Sequence, residues 1–282
     1  MRKPIPIFSV CAAALFACNV APTDPTAKPE NVGLLRTGLA VAARADTDGG
    51  TEDYDALLDE LLAEETSGAS FDVQDPGEEL VEDINFDLLC DDVTAVDGQN
   101  SRAGAVCQAL ADAFDELDND RDHARDYARD CTDAIRDIDA ARPIAVNNKD
   151  RYAPRIRAVI DLGVRQGRLT AEQATALRDR VDRGVARLTA AINGYDSSRT
   201  TLVDARTAYQ AAVTSFDAAK AALRAGDRRA AATAYAEGIA NYNRGVRLGR
   251  TGATDCRNAV TADDEGMGLL DGVLNELDRL RR

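Results

Sequence analysis

CQALADAFDELDNDRDHARDYARDCTDAIRDI, residues 107–138, decides the fold. Cys107, Leu110, Phe114, Leu117, Arg121, Ala124, Ala128, Cys131, Ile135 and Ile138 follow one another at alternating steps of three and four, with Arg121 the single charged member. An α-helix turns once in 3.6 residues, so this spacing lays the series along one face as a heptad seam. It predicts a helix from about residue 101 to 142, ended by Pro143 and Asn147-Asn148. Asp118, Asp122 and Asp126 stand three residues before Arg121, Arg125 and Arg129, a ladder of ion pairs on the solvated side.

Downstream the same period returns. A shorter helix is predicted over about 150–166, with Pro154 in its first turn where a missing donor costs little. Gly167 stops it. Thr170 caps the next helix and Gln173 closes a capping box, with Leu169 placed to staple against Ala174. That helix runs through Leu177, Val181, Leu188, Ile192, Leu202, Tyr209, Phe216 and Leu223, with Asn193-Gly194 a candidate break. Gly226-Asp227 is a second stop and cap. Tyr235, Ile239, Tyr242, Val246, Gly249, Ala253, Cys256 and Val260 then continue the pattern, which Asp263 to Gly266 should interrupt before a short terminal helix through Leu269, Leu270, Val273, Leu274, Leu277 and Leu280. Aromatics are only 5% of the chain and Trp is absent, which suits thin helix-to-helix seams. The expected fold is all-α: residues 101–282 form an elongated antiparallel helical bundle with coiled-coil-like seams, preceded by a disordered N-terminal tether.

Upstream lies an acidic arm, residues 51–100. Nineteen Asp and Glu and no Lys or Arg fall between Asp46 and Asn100, against a net charge of −15 for the whole chain. Phosphate contacts need Lys and Arg, so nucleic acid is not an expected partner. Tyr54, Leu57, Leu58, Leu61 and Leu62 fall on one face of a helix opened by Thr51 and closed near Gly68. Phe71, Val73, Leu80, Val81, Ile84, Phe86, Leu88 and Leu89 form a second apolar group around Pro76-Gly77. These residues can dock on the bundle. Alternatively the arm folds on another protein, which makes Tyr54, Leu57, Leu58, Leu61 and Leu62 a candidate partner-binding face. Loose calcium binding by the carboxylates is a third reading, without the ligand spacing of an EF-hand.

Residues 18–50 read as a flexible linker, with Pro22, Pro25, Pro29, Gly33, Gly38 and Gly49-Gly50. About 30 flexible residues would hold the body roughly 30 Å from its anchor. The mildly apolar piece Leu34 to Ala43 fits a strand, a short helix or a membrane-proximal contact. Before it, Met1-Arg2-Lys3 precedes an apolar run from Ile5 to Ala17, too short to span a bilayer, so 1–17 reads as an export signal. Its ending, Leu15-Phe16-Ala17-Cys18, resembles the lipobox of bacterial lipoprotein precursors. That resemblance implies that Cys18 is acylated, becomes the mature N-terminus and anchors an exported protein to a membrane of the cell envelope. An ordinary secretory signal cut elsewhere would instead leave the protein soluble in the same compartment.

Apart from Cys11 in the signal and Cys18, four cysteines remain, and export favours their oxidation. Cys131 and Cys256 lie at similar heights above the expected starts of helices running the same way, which predicts a Cys131–Cys256 disulfide. Cys90 would then pair with Cys107, stapling the arm to the base of the first long helix. Free or metal-bound thiols are the alternative.

Little in the sequence points to catalysis. His123 is the single histidine and falls outside the seam, so there is no ordinary Ser-His-Asp triad and no histidine-rich zinc site. A calcium loop at Asp118, Asp120 and Asp122 fails because His123 stands where glycine is required and Arg129 where a bidentate glutamate is required. Gly249-Arg250-Thr251-Gly252 lacks the lysine of a phosphate loop. No enzyme, metal, cofactor or small-molecule substrate is expected. Leu169-Thr170-Ala171-Glu172-Gln173 resembles the Leu-Thr-x-x-Gln motif of periplasmic helical stress proteins of the Spy and CpxP type, which implies an ATP-independent chaperone or envelope stress sensor. The helical plan with two paired disulfides is similar to that of plant invertase and pectin methylesterase inhibitors, although the cysteine spacings here are much longer. The expectation is a lipid-anchored, non-enzymatic binding or structural module with an envelope protein as partner.

Overall fold

The computed structural model describes residues 53–64, 68, 71–86, 89 and 99–282, with 99–107 in backbone only. Residues 1–50 with Cys18, the capping position Thr51, and Leu88 and Cys90 lie outside the described residues, as does the side chain of Cys107. The elements are α1 (Tyr54–Ala63), α2 (Gln99–Asn147), a π-helical turn (Asn148–Tyr152), α3 (Ala153–Arg165), α4 (Ala171–Arg224) and α5 (Arg228–Arg281). The fold is the expected all-α antiparallel bundle of long helices, with no strand among the described residues. Arm and bundle belong to a single unit, Gly50–Arg282.

Both predicted turns are built as their residues dictate. At the α4–α5 hairpin Gly226 takes φ +77°, and the Gly226 and Asp227 N–H groups close back on the Leu223 and Ala222 carbonyls. That left-handed position favours glycine. Asp227 then caps α5 by accepting from the Ala230 N–H at 3.0 Å. At the α3–α4 hairpin Thr170 accepts from the Gln173 N–H at 3.1 Å while the Gln173 side chain accepts from the Thr170 N–H at 2.9 Å, a complete capping box.

Of the expected breaks in the long helices only the one at Asn147-Asn148 appears, where α2 gives way to the π-helical turn; those at Pro143, Asn193-Gly194 and Asp263 to Gly266 are absent. Pro143 sits inside α2, its ring exposed. A proline there removes one helix hydrogen bond, but Ile138, Ala141 and Ala145 are buried on either side of it and their packing keeps the helix going. The path widens at Asn148–Tyr152 and continues into α3. Gly194 does not break α4. A Cβ there would lie 2.9 Å from the Cβ of Ala259, so glycine permits close approach. Asp263 to Gly266 likewise remains inside α5, where Asp263 is buried and a Cβ on Gly266 would lie 2.9 Å from Leu188 Cγ.

The α4–α5 seam therefore runs unbroken over helices of 54 residues each, about 80 Å at helical rise. Its knobs are Leu188, Leu202, Tyr209 and Phe216 on α4, each set against a glycine of α5: Gly266, Gly252, Gly245 and Gly238. Large against small lets the two backbones draw close without a thick core. On its other side α4 carries α2, whereas α2 and α5 scarcely meet.

The arm closes the structure in two pieces. Asp53, not Thr51, caps α1 by accepting from the Asp55 N–H, and the helix ends at Ala63 rather than near Gly68. Tyr54, Leu58 and Leu61 are buried in an apolar cluster with Ile156, Ile160 and Leu274. The face expected for a partner is thus occupied by the chain's own bundle: Leu57 is half-buried, and only Leu62, 39% exposed, stays open. Burying a large apolar side chain is worth about 1.5–3 kcal/mol, so the three buried ones offset a sizeable part of the entropy lost in ordering so short a helix. The acids of α1 and of its C-cap meet arginines from three directions: Glu60 and the capping Glu64 meet Arg155, Asp55 meets Arg168, and Asp59 meets Arg281.

Candidate binding groove

Residues 71–86 are extended and lie in the gap that α2 and α5 leave above α4. This strap runs antiparallel to α5. Asp75 meets Arg257 at 2.7 Å, Glu79 meets Arg247 at 3.5 Å, and Phe86 reaches Tyr235 with ring centroids 5.7 Å apart.

A strap without strand neighbours must satisfy its backbone elsewhere. Three side chains of the bundle do so. Tyr209 donates its hydroxyl to the Pro76 carbonyl at 3.3 Å, and Arg250 donates to the Gly77 carbonyl at 2.9 Å. Asn243 accepts from the Leu80 N–H and donates to the Leu80 carbonyl, each at 2.8 Å, so one carboxamide does what a neighbouring strand would do. Gly77 has φ +76°, and a Cβ there would fall 2.1 Å from the Tyr127 hydroxyl. Both conformation and space demand glycine.

The groove floor is aromatic. Tyr209 and Tyr242 meet edge to face at 5.5 Å between centroids, Tyr127 lies 5.7 Å from Tyr209 and 6.0 Å from Tyr242, and Phe71 of the strap stacks on Tyr195 at 6.3 Å. Burial pushes the Tyr195, Tyr209, Tyr235 and Tyr242 hydroxyls above the ordinary tyrosine range, so they act as neutral donors. Beneath Asp72–Pro76 a cleft of about 140 Å³ remains, bordered by Tyr127, Cys131, Ala134 and Leu202 and by the α2 carboxylates Asp130, Asp133 and Asp137.

Cys131 and Cys256 are free and buried, which corrects the expected disulfide. Helices α2 and α5 do run the same way, but they do not start level. Arg142 meets Asp196 and Arg199 meets Asp139 across α2 and α4, while Ser198 meets Gly252 across α4 and α5. This register sets the two cysteines about eleven residues apart along the axis, roughly 16 Å at helical rise. A disulfide needs Cα atoms within about 7 Å. Burial instead pushes the Cys131 thiol up to about 12 and that of Cys256 up to about 11.

The docking reading of the second apolar group holds for Phe71, Val73, Leu80, Ile84, Phe86 and Leu89, which pack on the main core. Val81, 73% exposed, does not. Sequence reasoning missed Asn243 and Tyr127, and weighed Arg250 only as part of a failed phosphate loop. The available signal was Pro76-Gly77 inside an apolar group, which marks a backbone that must bend against something. His123 is exposed on α2. Among the described residues no group of His, Cys, Asp or Glu could hold a metal ion, and no helix is long and apolar enough to cross a membrane. No protein-family model, no curated protein and no solved structure matches this chain.

Proposed function

We propose that this protein is an exported lipoprotein, anchored to an envelope membrane through Cys18, whose helical bundle is a non-enzymatic binding module for another envelope protein. The observation that supports binding is the groove itself: Tyr209, Asn243 and Arg250 spend their polar atoms on the main chain of an extended segment. Contacts of that kind grip a polypeptide by its main chain. The basic start, the apolar run and Leu15-Phe16-Ala17-Cys18 support the anchor.

Two measurements test this reading. Cys18→Ser should move the protein from the membrane to the soluble fraction of the envelope, with loss of the lipid mass from the N-terminal peptide. Crosslinking in intact envelopes should recover one protein reproducibly. If the wild type carries no lipid, or if no protein is recovered above an uncrosslinked control, the corresponding half of the proposal is lost.

A chaperone or stress-sensor role ranks second. Its motif, Leu169 to Gln173, is accounted for by the capping box of α4. Suppression of client aggregation at low molar ratio would promote it.

A further inference from the structure

We propose that the groove between α2 and α5 is a binding site for an extended acidic segment of a partner protein, and that residues 71–86 are its occupant within the chain, displaced when the partner binds. The inference rests on the binding-module reading and names its site.

Four observations carry it. First, the polar contacts to the strap at Pro76, Gly77 and Leu80 go to backbone atoms. They would hold any segment that can adopt the same extended path, as a strand edge holds an added strand. Second, the α5 rim presents Arg247, Arg250 and Arg257, of which Arg247 and Arg257 pair with Glu79 and Asp75 at exposed positions. Such pairs are individually weak and exchangeable, yet they favour acidic side chains where the ligand faces α5, while Asp130, Asp133 and Asp137 on the α2 wall disfavour them there. Third, the strap fills the groove incompletely. The cleft of about 140 Å³ beneath Asp72–Pro76 has room for a side chain larger than that of Val73. Fourth, Val81 in the middle of the strap is 73% exposed, so part of the strap's apolar surface gains nothing from its position.

The chemistry of the ligand follows. It is extended, acidic along the edge that faces α5, with a Pro-Gly step where Gly77 passes the Tyr127 hydroxyl and a larger apolar residue at the position of Val73. A ligand of that kind would bury more apolar surface than the strap while reusing the Asn243 clamp.

The test uses the full chain and a fluorescent synthetic peptide of residues 71–86, in the natural sequence and with Val73→Leu. Phe71→Ser with Ile84→Ser in the full chain removes strap anchors and leaves the groove's donors intact. This loosened chain should bind the peptide at least ten-fold more tightly than the wild type does. The Val73→Leu peptide should bind several-fold more tightly again, and adding Asn243→Ala should abolish the gain. Absence of saturable binding to a loosened chain that still melts cooperatively overturns the proposal, as does binding unaffected by Asn243→Ala.

Should the loosened chain fail to fold, hydrogen exchange of the wild type decides. Leu80 N–H exchanging well before the core amides of α4 and α5 supports release, and exchange only with global unfolding overturns it. A concentration-dependent dimer that trades straps between copies overturns the partner in favour of self-exchange. An envelope partner crosslinked only to other faces sinks the groove and spares the binding-module reading. Peptide binding as described without any envelope partner would sink the broader reading and the partner's segment with it.

Discussion

The Tyr235 hydroxyl of α5 donates to the Asp120 carboxylate of α2 at 3.2 Å, and both residues are buried. Asp120 is 2% exposed. Burial pushes its carboxyl up to about 6, the nearby Glu116 adds to the rise, and the Tyr235 hydrogen bond and His123 oppose it, with Asp83 of the strap adding a little more. A folded-state value above the unfolded one means that the native protein keeps this proton where the unfolded chain has lost it. As pH rises from about 4 to about 6, stability therefore falls, and above that window the loss stays constant. Two pH units correspond to about 3 kcal/mol at most. Asp120→Asn should stabilise the protein at pH 7.5 by roughly 1–3 kcal/mol and flatten the difference between pH 4 and 6. Urea unfolding at several pH values measures this, and parallel profiles for variant and wild type would refute it.

Gly266 and Gly268 lie two residues apart on α5 and should respond oppositely to alanine. Alanine gains about 1 kcal/mol of helix propensity at either. At Gly268 nothing stands within 4 Å of the new Cβ, so the gain should appear in full as a rise in Tm. At Gly266 the Cβ would lie 2.9 Å from Leu188 Cγ and 3.1 Å from the Gly184 carbonyl oxygen. Overpacking of that kind costs about 1–3 kcal/mol, so Gly266→Ala should lower Tm. Equal shifts would show that the α4–α5 seam is looser than described.

Leu58→Ala and Asp59→Ala separate what holds α1 down. Leu58 is fully buried among bundle residues, and its truncation should cost about 2–5 kcal/mol or release the helix. Asp59 pairs with Arg281 at an exposed edge, where solvent screens the charges and losing the pair costs little. Limited proteolysis near Ala63 should accelerate for the leucine variant alone. Similar acceleration in both would place the docking energy in the ion pairs.

Cys131 and Cys256 should resist thiol reagents at pH 8 in the folded chain and react once urea unfolds it, because burial both shields the sulfurs and raises their pKa. Mass spectrometry of a non-reduced digest checks this directly. A linked Cys131–Cys256 peptide would contradict the helix register.

The hairpins were legible in the sequence because their residues act locally. Thr170 with Gln173, and Gly226 with Asp227, carry their instructions within a few positions, and each was built as read. The long helices were legible as a period but not as a length. Pro143, Gly194 and Gly266 look like stops when only neighbours in sequence are weighed. Two of them are places where a facing helix comes close, and the third is carried by buried residues around it. The cysteine heights failed for a related reason, since they assumed that helices running together also begin together. The groove was half legible. Its apolar strap residues stood out, whereas Asn243 and Arg250 bind backbone atoms and so answer to no partner side chain.

The Asp59–Arg281 contact joins positions 222 residues apart. Synthesis runs from the N-terminus, so α1 is made early and cannot be fully seated until the last turns of α5 have been made. A product cut short within the last turns of α5 would lack Leu274, Leu277 and Arg281, which help cover and clamp α1. The apolar face of Tyr54, Leu58 and Leu61 would then lose part of its cover, and a protease scanning for loose ends could tell the unfinished molecule from the finished one.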